Sequence, residues 1–523
     1  MLEEDQRWLQ PRGERSSKTH PSCMKTNTLL QAAIGSALIT APAMAGTPLW
    51  FTPLTQSAPV VSANALEETS APWVTPAGIV QRNWVSLREV EDTVLSPGQS
   101  TSRSTGQGTS ASMFDMMAYH PNGTHLFIPH ESPIGAGVTR YNIDLNKAEL
   151  IFKGDEQGGA TVPNWTNDYG AFDPCRWTPN GTLFLGEEWA GLGRLVEILN
   201  PMAPVGSINF RVLESIANVG HEGINFSKKY SNTIYYVDEE NSGSIYKFVM
   251  KTIGDYTVGQ TFVLKLNTWA GVASENWNST ANTAAGARTG AATWVPLTDA
   301  DGVPLPGISN PFTDGLNPWA GRTAANDAGG TPYGRPEDMT VSRLPNGNEI
   351  LYIAVTSEQA VIAIEILTPG STRVNGTATV RYFVTSSTPK NLGQAATTGT
   401  LSSPDNLAID AAGNIYVIED SPNSSSTGGD IWFARDTNND GVAESIDHFL
   451  SLRVAGSEAT GMIFNPVLPT EFSVCVQHPN STDLGTVSNG IGDAVWSFDL
   501  SGIPNTAHVT ALRRGKFRSY TNQ

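Results

Sequence analysis

One pattern recurs along this chain: a turn, a short apolar strand, and metal-ligand side chains directly after the strand. It is clearest at 181–188, where a Gly-Thr turn leads into Leu183-Phe184-Leu185 and the strand ends at Glu187-Glu188. Two adjacent carboxylates repel each other, so the arrangement favours a cation or a proton between them. Similar stretches lie at 120–131, 231–240, 345–358, 412–420 and 468–478. We interpret them as one structural unit repeated about six times.

The spacing of these stretches indicates a fold. Most neighbouring turns are about fifty to sixty-five residues apart, the size of a four-stranded propeller blade. One gap is double, and it contains residues 268–330, which we interpret as a long loop insertion. We therefore predict an all-β fold, a six-bladed β-propeller with long loop insertions over residues 111–523. A generic β-sandwich is the alternative, but a sandwich need not place the same chemistry at every strand end.

In a propeller, equivalent strands of the blades surround a central channel. If the repeated strands are the inner ones, their C-terminal ends meet at one mouth. The acids that could share that pocket are Glu131, Glu187, Glu188, Glu222, Asp238, Glu239, Glu337 and Asp405. So many carboxylates need cations to neutralise them, and oxygen-rich sites select hard cations such as calcium, magnesium or manganese. Each acid taken alone is better explained as a solvated strand end; the case rests on their recurrence.

The N-terminal part has the features of an export signal. Met24-Lys25 precedes an apolar run over 29–39 and then Ala43-Met44-Ala45, an A-x-A cleavage site. We expect residues 1–45 to be an upstream tail and a Sec-type signal peptide, with the true start at Met24 and cleavage after Ala45. The product would be secreted or periplasmic. Residues 46–110 are rich in Pro, Ser and Thr and predict an extended arm, with one strand around 83–87.

The net charge limits the partners that the chain can bind, and the cysteine content limits the disulfides that it can form. The chain has a net charge of −18, so it repels nucleic acid and anionic membranes at long range. No other stretch is long and apolar enough to span a membrane, and we expect a monomer. Beyond residue 45 the chain keeps Cys175 and Cys475, which allow one disulfide but form no framework.

Two further motifs suggest ligands. Arg335 stands two residues before Glu337, and an Arg beside metal sites can hold a phosphate bidentately. A structural ion pair between blades explains the same residues equally well. The stretch 436–447 fits a twelve-residue calcium loop with Gly441 at its turn. Its expected ligands are Asp436, Asn438, Asp440, Val442, Glu444 and, where a Glu is usual, Asp447.

These motifs, taken together, resemble the PhoX-type alkaline phosphatases, a family of secreted bacterial proteins. The matching segments are 114–118, 129–131, 178–188, 221–222, 237–239, 334–338, 403–406 and 477–479. The resemblance implies a six-bladed propeller, hydrolysis of phosphate monoesters, and a cluster of calcium with iron. By position it implies that the metal ligands are Glu187, Glu222, Asp238 or Glu239, Glu337 and Asp405. It also implies that Arg335 holds the phosphate.

The sequence departs from that family at one cysteine. The family motif reads Cys-Glu-Glu, with the cysteine on iron, whereas this chain has Gly186 there. A site without thiolate is harder, so we expect several calcium ions and little or no iron. The absence of a twin-arginine signal is consistent with that expectation.

We therefore predict a secreted calcium-dependent phosphatase acting on a small phosphate monoester, with Arg335 and Glu337 as catalytic residues. Two alternatives stay open at this point. One is another metal-dependent propeller hydrolase, such as a lactonase or phytase-like enzyme, because a propeller does not determine the reaction. The other is a non-catalytic, calcium-stabilised extracellular binding or surface protein.

Overall fold

The computed structural model describes residues 49–61, 70–87, 113–158, 164–312, 319–370, 375–422, 424–479 and 491–520. The chain divides by contacts into two units, residues 1–45 and Gly46–Gln523, and all described residues belong to the second. The expected tail, signal peptide and cleavage site lie outside the described residues, as does much of the predicted arm. Among the helices of the described part, none is long and apolar enough to cross a membrane.

The described chain is built mainly of antiparallel strands, and most of them form up-and-down groups of four in chain order. Two strands come first, β1 (Trp73–Val74) and β2 (Val80–Ser86). The first sheet contains β3 (Ala118–Tyr119), β4 (His125–His130), β5 (Gly137–Asn142) and β6 (Lys147–Lys153). The second contains β7 (Phe172–Trp177), β8 (Leu183–Glu187), β9 (Leu195–Ile198) and β10 (Phe210–Val212).

The third sheet has nine strands because one strand joins two groups of four. The first group is β11 (Ile224–Phe226), β12 (Thr233–Val237), β13 (Ile245–Met250) and β14 (Gly259–Leu266). The joining strand is β15 (Gly290–Pro296), which pairs with β14 on one side and with the last strand of the second group on the other. The second group is β16 (Pro336–Arg343), β17 (Glu349–Val355), β18 (Ala360–Thr368) and β19 (Gly376–Thr385).

The last two sheets recruit the N-terminal strands. One contains β20 (Pro404–Ile409), β21 (Ile415–Glu419), β22 (Asp430–Arg435) and β23 (Ser445–Leu452), with β1 added beside β23. The other contains β24 (Glu458–Phe464), β25 (Glu471–Gln477) and β26 (Ala494–Asp499), with β2 paired to β26 as its fourth strand. The N-terminal segment therefore completes the sheet formed by the C-terminal strands.

Short helices lie between and after the sheets. Within the described residues they are α1 (Thr280–Ala284), α2 (Ala320–Ala328) and α3 (Thr506–Tyr520), and a 3₁₀ turn lies at Thr356–Glu358. The first two helices and β15 fall within 268–330, so the segment expected to be a long loop insertion contains regular secondary structure. The Ser279 side chain caps α1 by accepting from the Asn282 N–H at 3.1 Å, and Gly329 ends α2 at a positive φ of 71°.

Apolar side chains pack between consecutive groups of strands. The described residues form six apolar clusters, and each draws on two neighbouring groups. One of them joins the last group to the first, since Cys475 and Val495 pack with Tyr119 and Leu126. The strands β7, β11, β16, β20 and β24 contact one another in that order along one edge of the sheets. The arrangement is all-β and propeller-like.

The order of strands within the sheets corrects the expectation that the repeated strands are the inner ones. The repeated turn-strand-acid stretches form β4, β8, β12, β17, β21 and β25, which are second from the inner edge. The inner strands are those that precede each turn. In an antiparallel pair the start of one strand lies beside the end of its neighbour, so the ends of the second strands still reach the same edge.

Candidate functional site

Seven carboxylates form a continuous row at the inner edge of the sheets, which we call the acid belt. Its members are Asp173, Glu188, Glu222, Glu337, Asp405, Asp420 and Glu458. They make three overlapping groups of three, and within each group the ligand atoms lie within 4.8 Å of one another. Glu222 belongs to the first and second groups and Asp405 to the second and third, so the groups are connected.

The inner strands place belt acids by a repeated local device. Asp173, Glu337 and Asp405 are each the second residue of an inner strand. In all three strands the register shifts around that acid, between Phe172 and Cys175 in the first case. A β-bulge leaves a residue outside the regular ladder and turns its side chain in a new direction.

Backbone strain accompanies the bulges. The residue two before the acid has a positive φ in each case: 44° at Ala171, 49° at Arg335 and 44° at Ser403. Met113 repeats the feature with 28°, two residues before the buried Asp115. Non-glycine residues rarely adopt this conformation, and it clusters at functional sites. The strained turn and the bulge together direct these carboxylates to the belt.

The second strands supply one further acid to the first group and one to the third. Glu187 pairs with Phe172 and Glu419 pairs with Pro404. The residues that follow, Glu188 and Asp420, therefore lie beside the inner-strand acids.

Burial and like charge act together on the belt. Glu222, Glu337 and Asp405 are 2%, 1% and 8% exposed. Burial first, and then the charges of Glu337 and Asp405, raise the pKa of Glu222 well above its usual range. Burial likewise raises the pKa of Asp173, Glu188, Asp405 and Glu458 well above their usual ranges, with neighbouring carboxylates adding to the effect. The belt cannot be fully ionised without positive charge beside it.

Several belt oxygens fit bound cations. Asp173 Oδ1, Glu188 Oε2, Glu222 Oε1 and Glu337 Oε2 are buried, and no hydrogen-bond donor of the described residues reaches them. A buried carboxylate oxygen without a donor is costly unless a cation or a proton is present. An all-carboxylate set matches hard cations such as calcium.

Arg335 is the cation that contacts the middle of the belt. Its Nε lies 3.2 Å from Glu337 Oε1 and pairs with Glu239 Oε1, and its Nη1 lies 3.9 Å from Asp420 Oδ2. Its side chain is 37% exposed, so one guanidinium connects buried acids to the surface.

Glu187, which was expected from the sequence to be a metal ligand, lies outside the belt. Its carboxylate pairs with Arg194 at 2.7 and 2.8 Å and accepts from the backbone N–H groups of Gly170 and Leu192. Adjacent strand residues face opposite sides, so Glu187 and Glu188 cannot both reach the belt.

Asp238 and Glu239 are also committed elsewhere. Both oxygens of Asp238, an expected ligand, pair with Arg322 at 2.7 Å, and Asp238 lies outside the three groups of acids. Glu239 pairs with Arg335 and lies outside the three groups of acids. Burial and then the Glu337 charge raise its pKa to about 8, although Arg335 acts in the opposite direction. Glu239 therefore holds the arginine at the belt.

Two further buried acids, Glu131 and Asp115, lie outside the belt as defined but are linked to each other near Glu188. Glu131 accepts from the indole N–H of Trp189 and, at 2.9 Å, from the amide of Gln477. The same amide donates to Asp115 at 2.6 Å. Burial first, and then the Glu131 charge, raise the pKa of Asp115 well above its usual range.

Three belt members were not among the candidates chosen from the sequence: Asp173, Asp420 and Glu458. A shared signal could have found the first. In Phe114-Asp115, Phe172-Asp173, His221-Glu222, Pro336-Glu337 and Pro404-Asp405, a ring-bearing residue precedes an acid just before an apolar strand.

The predicted calcium loop has the compact form of its motif, with one exception. Asp436 accepts from the N–H groups of Asp440 and Gly441 at 3.1 and 2.9 Å, and Gly441 has a φ of 81°. Asp447 contradicts the expectation, because it lies buried in β23 and pairs with Arg435 at 2.9 Å through both oxygens. It cannot also serve as the twelfth-position ligand.

The two cysteines of the described chain are away from position 186, where the family motif has a cysteine and this chain has Gly186. Cys175 and Cys475 are buried and unbridged. A Cβ on Gly186 would lie 2.7 Å from His221 Cβ and from Pro174 Cγ, so this position has no room for a thiolate side chain without a shift.

Comparisons with known proteins agree with the fold. The sequence profile described as alkaline phosphatase PhoX matches residues 148–480, more than half of the chain. The chain is similar to the structure of Pseudomonas fluorescens PhoX in complex with vanadate, a transition state analogue, with 14% identity and a TM-score of 0.56. That alignment covers 87% of this chain and all (100%) of the other, and at this identity it shows the fold alone.

Weaker likenesses extend to other proteins. A putative gluconolactonase has 11% identity and a TM-score of 0.36, over 84% of this chain and 97% of that one. A calcium-binding regucalcin from Agrobacterium tumefaciens has 8% identity and a TM-score of 0.33, over 74% and 90%. Scores this low carry no argument about function. Among curated proteins, none matches the chain.

Proposed function

Because the chain belongs to the PhoX alkaline phosphatase family, we propose that it is a secreted, calcium-dependent phosphatase that hydrolyses small phosphate monoesters. The observation that carries the proposal is the acid belt with Arg335 in contact with its middle group. Buried carboxylates beside an exposed guanidinium provide cation ligands and an anion ligand in one place.

We further propose that the sheets are six blades of a propeller. The nine-stranded sheet would be two blades joined by β15. Support comes from the six apolar clusters, each shared by consecutive groups of four strands, the last with the first. The belt would then surround the mouth of the central channel.

The cations would be held by the first two belt groups, which contain Asp173, Glu188, Glu222, Glu337 and Asp405. Cations bound in this way polarise phosphoryl oxygens and lower the pKa of water. The third group offers a further place for a cation. Calcium is favoured over iron because the donors are all oxygen and Gly186 supplies no thiolate.

The residues of the chain position the substrate. Arg335 is anchored through its Nε by Glu239 and Glu337, which leaves its Nη groups as donors. Two such donors in one plane match two phosphate oxygens and can stabilise charge that develops on them. Glu337 fixes the guanidinium beside the cation ligands.

Export of the protein remains part of the proposal. The signal in residues 1–45 would direct it outside the cytoplasm, where calcium is abundant. The buried, unbridged thiols of Cys175 and Cys475 do not require an oxidising compartment.

A hydrolysis assay tests this function. Purified protein should release phosphate from p-nitrophenyl phosphate in calcium, lose the activity in chelator and regain it when calcium returns. Arg335→Ala should keep bound calcium and raise the KM for the ester, and the exposed Arg513 on α3 provides a matched control, Arg513→Ala. Hydrolysis that chelator leaves unchanged, or equal effects of the two substitutions, would contradict the proposal.

A further inference from the structure

Trp189 stands directly after the belt acid Glu188 and is 45% exposed. Its neighbours in the belt are buried, so a large aromatic side chain in the open at this point is unusual. Among the described residues, no aromatic ring or cation stacks on its indole. A flat apolar surface is therefore available at the edge of the belt.

The indole is held in place at its edge. Its Nε1 donates to Glu131 Oε1, and Glu131 is fixed in turn by Gln477 at 2.9 Å. The bond restrains the ring without covering its faces. Holding the side chain beforehand reduces the entropy that a ligand would otherwise have to remove on binding.

The backbone that presents Trp189 is fixed as well. Glu187 accepts from the N–H groups of Leu192 and Arg194 at 3.0 and 2.9 Å. It also pairs with the Arg194 side chain. Gly191, with a φ of 85°, allows the turn to close against the Glu187 carboxylate. The ion pair that removes Glu187 from the belt thus determines the position of the next loop.

Short distances between neighbouring belt acids link the Trp189 end of the belt to the position proposed for the phosphate. Glu188 lies within 4.8 Å of Glu222, which lies within 4.8 Å of Glu337, the partner of Arg335. A phosphate held between Arg335 and the first belt group can turn its ester oxygen towards the Glu188 end, where Glu131 holds the Trp189 indole. The organic group on that oxygen would then meet the indole of Trp189.

We propose that Trp189 is a specificity residue that stacks on the leaving group, so that the enzyme prefers phosphate monoesters of aromatic or heterocyclic alcohols to those of small aliphatic ones. The inference rests on the proposed phosphatase function. Aromatic stacking of this kind changes affinity by about tenfold.

Binding of non-hydrolysable phosphonates tests the proposal apart from catalysis. Phenylphosphonate and methylphosphonate would be titrated by calorimetry into the calcium-loaded full-length protein. The parent protein should bind phenylphosphonate about tenfold more tightly. Trp189→Ala should remove this preference and leave the affinity for methylphosphonate unchanged.

Two further variants complete the design. Trp189→Phe should keep most of the preference, because it retains a ring without the N–H. Phe210→Ala, at an equally exposed aromatic residue on β10 (45% exposed), should have no effect. Equal affinity of the parent for both ligands, or equal loss of both in Trp189→Ala, would overturn the inference. If neither phosphonate binds the parent, the proposed phosphatase function fails with it.

Discussion

Replacing Glu337 with Gln keeps the shape of the side chain and removes one negative charge from the middle belt group. Its oxygen lies within 4.8 Å of oxygens of Glu222 and Asp405. At that separation two unit charges repel by about 3.5 kcal/mol at an effective dielectric constant of 20. Protonation of the neighbours relieves part of this, so the calcium-free variant should be more stable than the parent by about 1–3 kcal/mol.

Calcium should reverse this order of stability, so that the parent becomes more stable than Glu337→Gln. A site filled at one hundred times its dissociation constant stabilises the folded state by about 2.7 kcal/mol. For a chain of this size, that corresponds to a rise in Tm of about 2–4 °C. Glu337→Gln should lose this increment for one cation and lose most of the phosphatase activity.

The assay is thermal unfolding of the parent, Glu337→Gln and the control Glu214→Gln, in chelator and across a calcium series. Glu214 is exposed and lies outside the belt, so its variant should follow the parent. We expect the Tm of Glu337→Gln to lie above that of the parent in chelator and below it at high calcium, so that the two curves of Tm against calcium concentration cross. The Glu214→Gln curve should not cross that of the parent. Parallel curves for all three proteins would show that Glu337 neither feels the repulsion of its neighbours nor binds a cation.

Three other expectations follow from the same structure. Asp436→Ala should lower the Tm in calcium and leave activity largely intact, and identical melting of variant and parent throughout a calcium titration would remove the structural role of the loop. With Gly186 in place of a thiolate, purified protein should contain little or no iron and show no thiolate-to-iron absorption band; stoichiometric iron by elemental analysis would contradict this. In chelator the free energy of unfolding should fall as the pH rises above about 4, since carboxyls such as Glu222 have a raised pKa in the folded state and cost stability once the pH exceeds their unfolded value. Saturating calcium should abolish that fall, and a calcium-free protein whose stability is flat over this range would count against a charged, buried belt.

Much of the fold could be predicted from the sequence because turn chemistry and apolar runs are local. The run Leu183-Phe184-Leu185 forms β8 as expected, and the same holds for the equivalent strands of the other groups. The inner strands were harder to find. In β7 and β20 the acid interrupts the apolar pattern at a bulge, and the strand signal weakens where the functional residue sits.

The site was only partly predictable, for a different reason. The motifs singled out Glu222, Glu337 and Asp405, which lie close together in the structure, but at or just before the starts of inner strands rather than at the ends of the repeated strands. The motifs could not determine which of two adjacent acids faces the belt, because Glu187 and Asp238 are assigned by distant arginines, Arg194 and Arg322. Such pairings depend on tertiary contacts that a linear pattern does not contain.

The most direct test of the central claim is a crystal structure of the calcium-loaded protein with bound phosphate, with the cations located by anomalous scattering. We expect cations coordinated by Glu222, Glu337 and Asp405, and phosphate oxygens within hydrogen-bond distance of Arg335. Carboxylates that only share protons and water with one another at saturating calcium, with phosphate bound elsewhere, would contradict it.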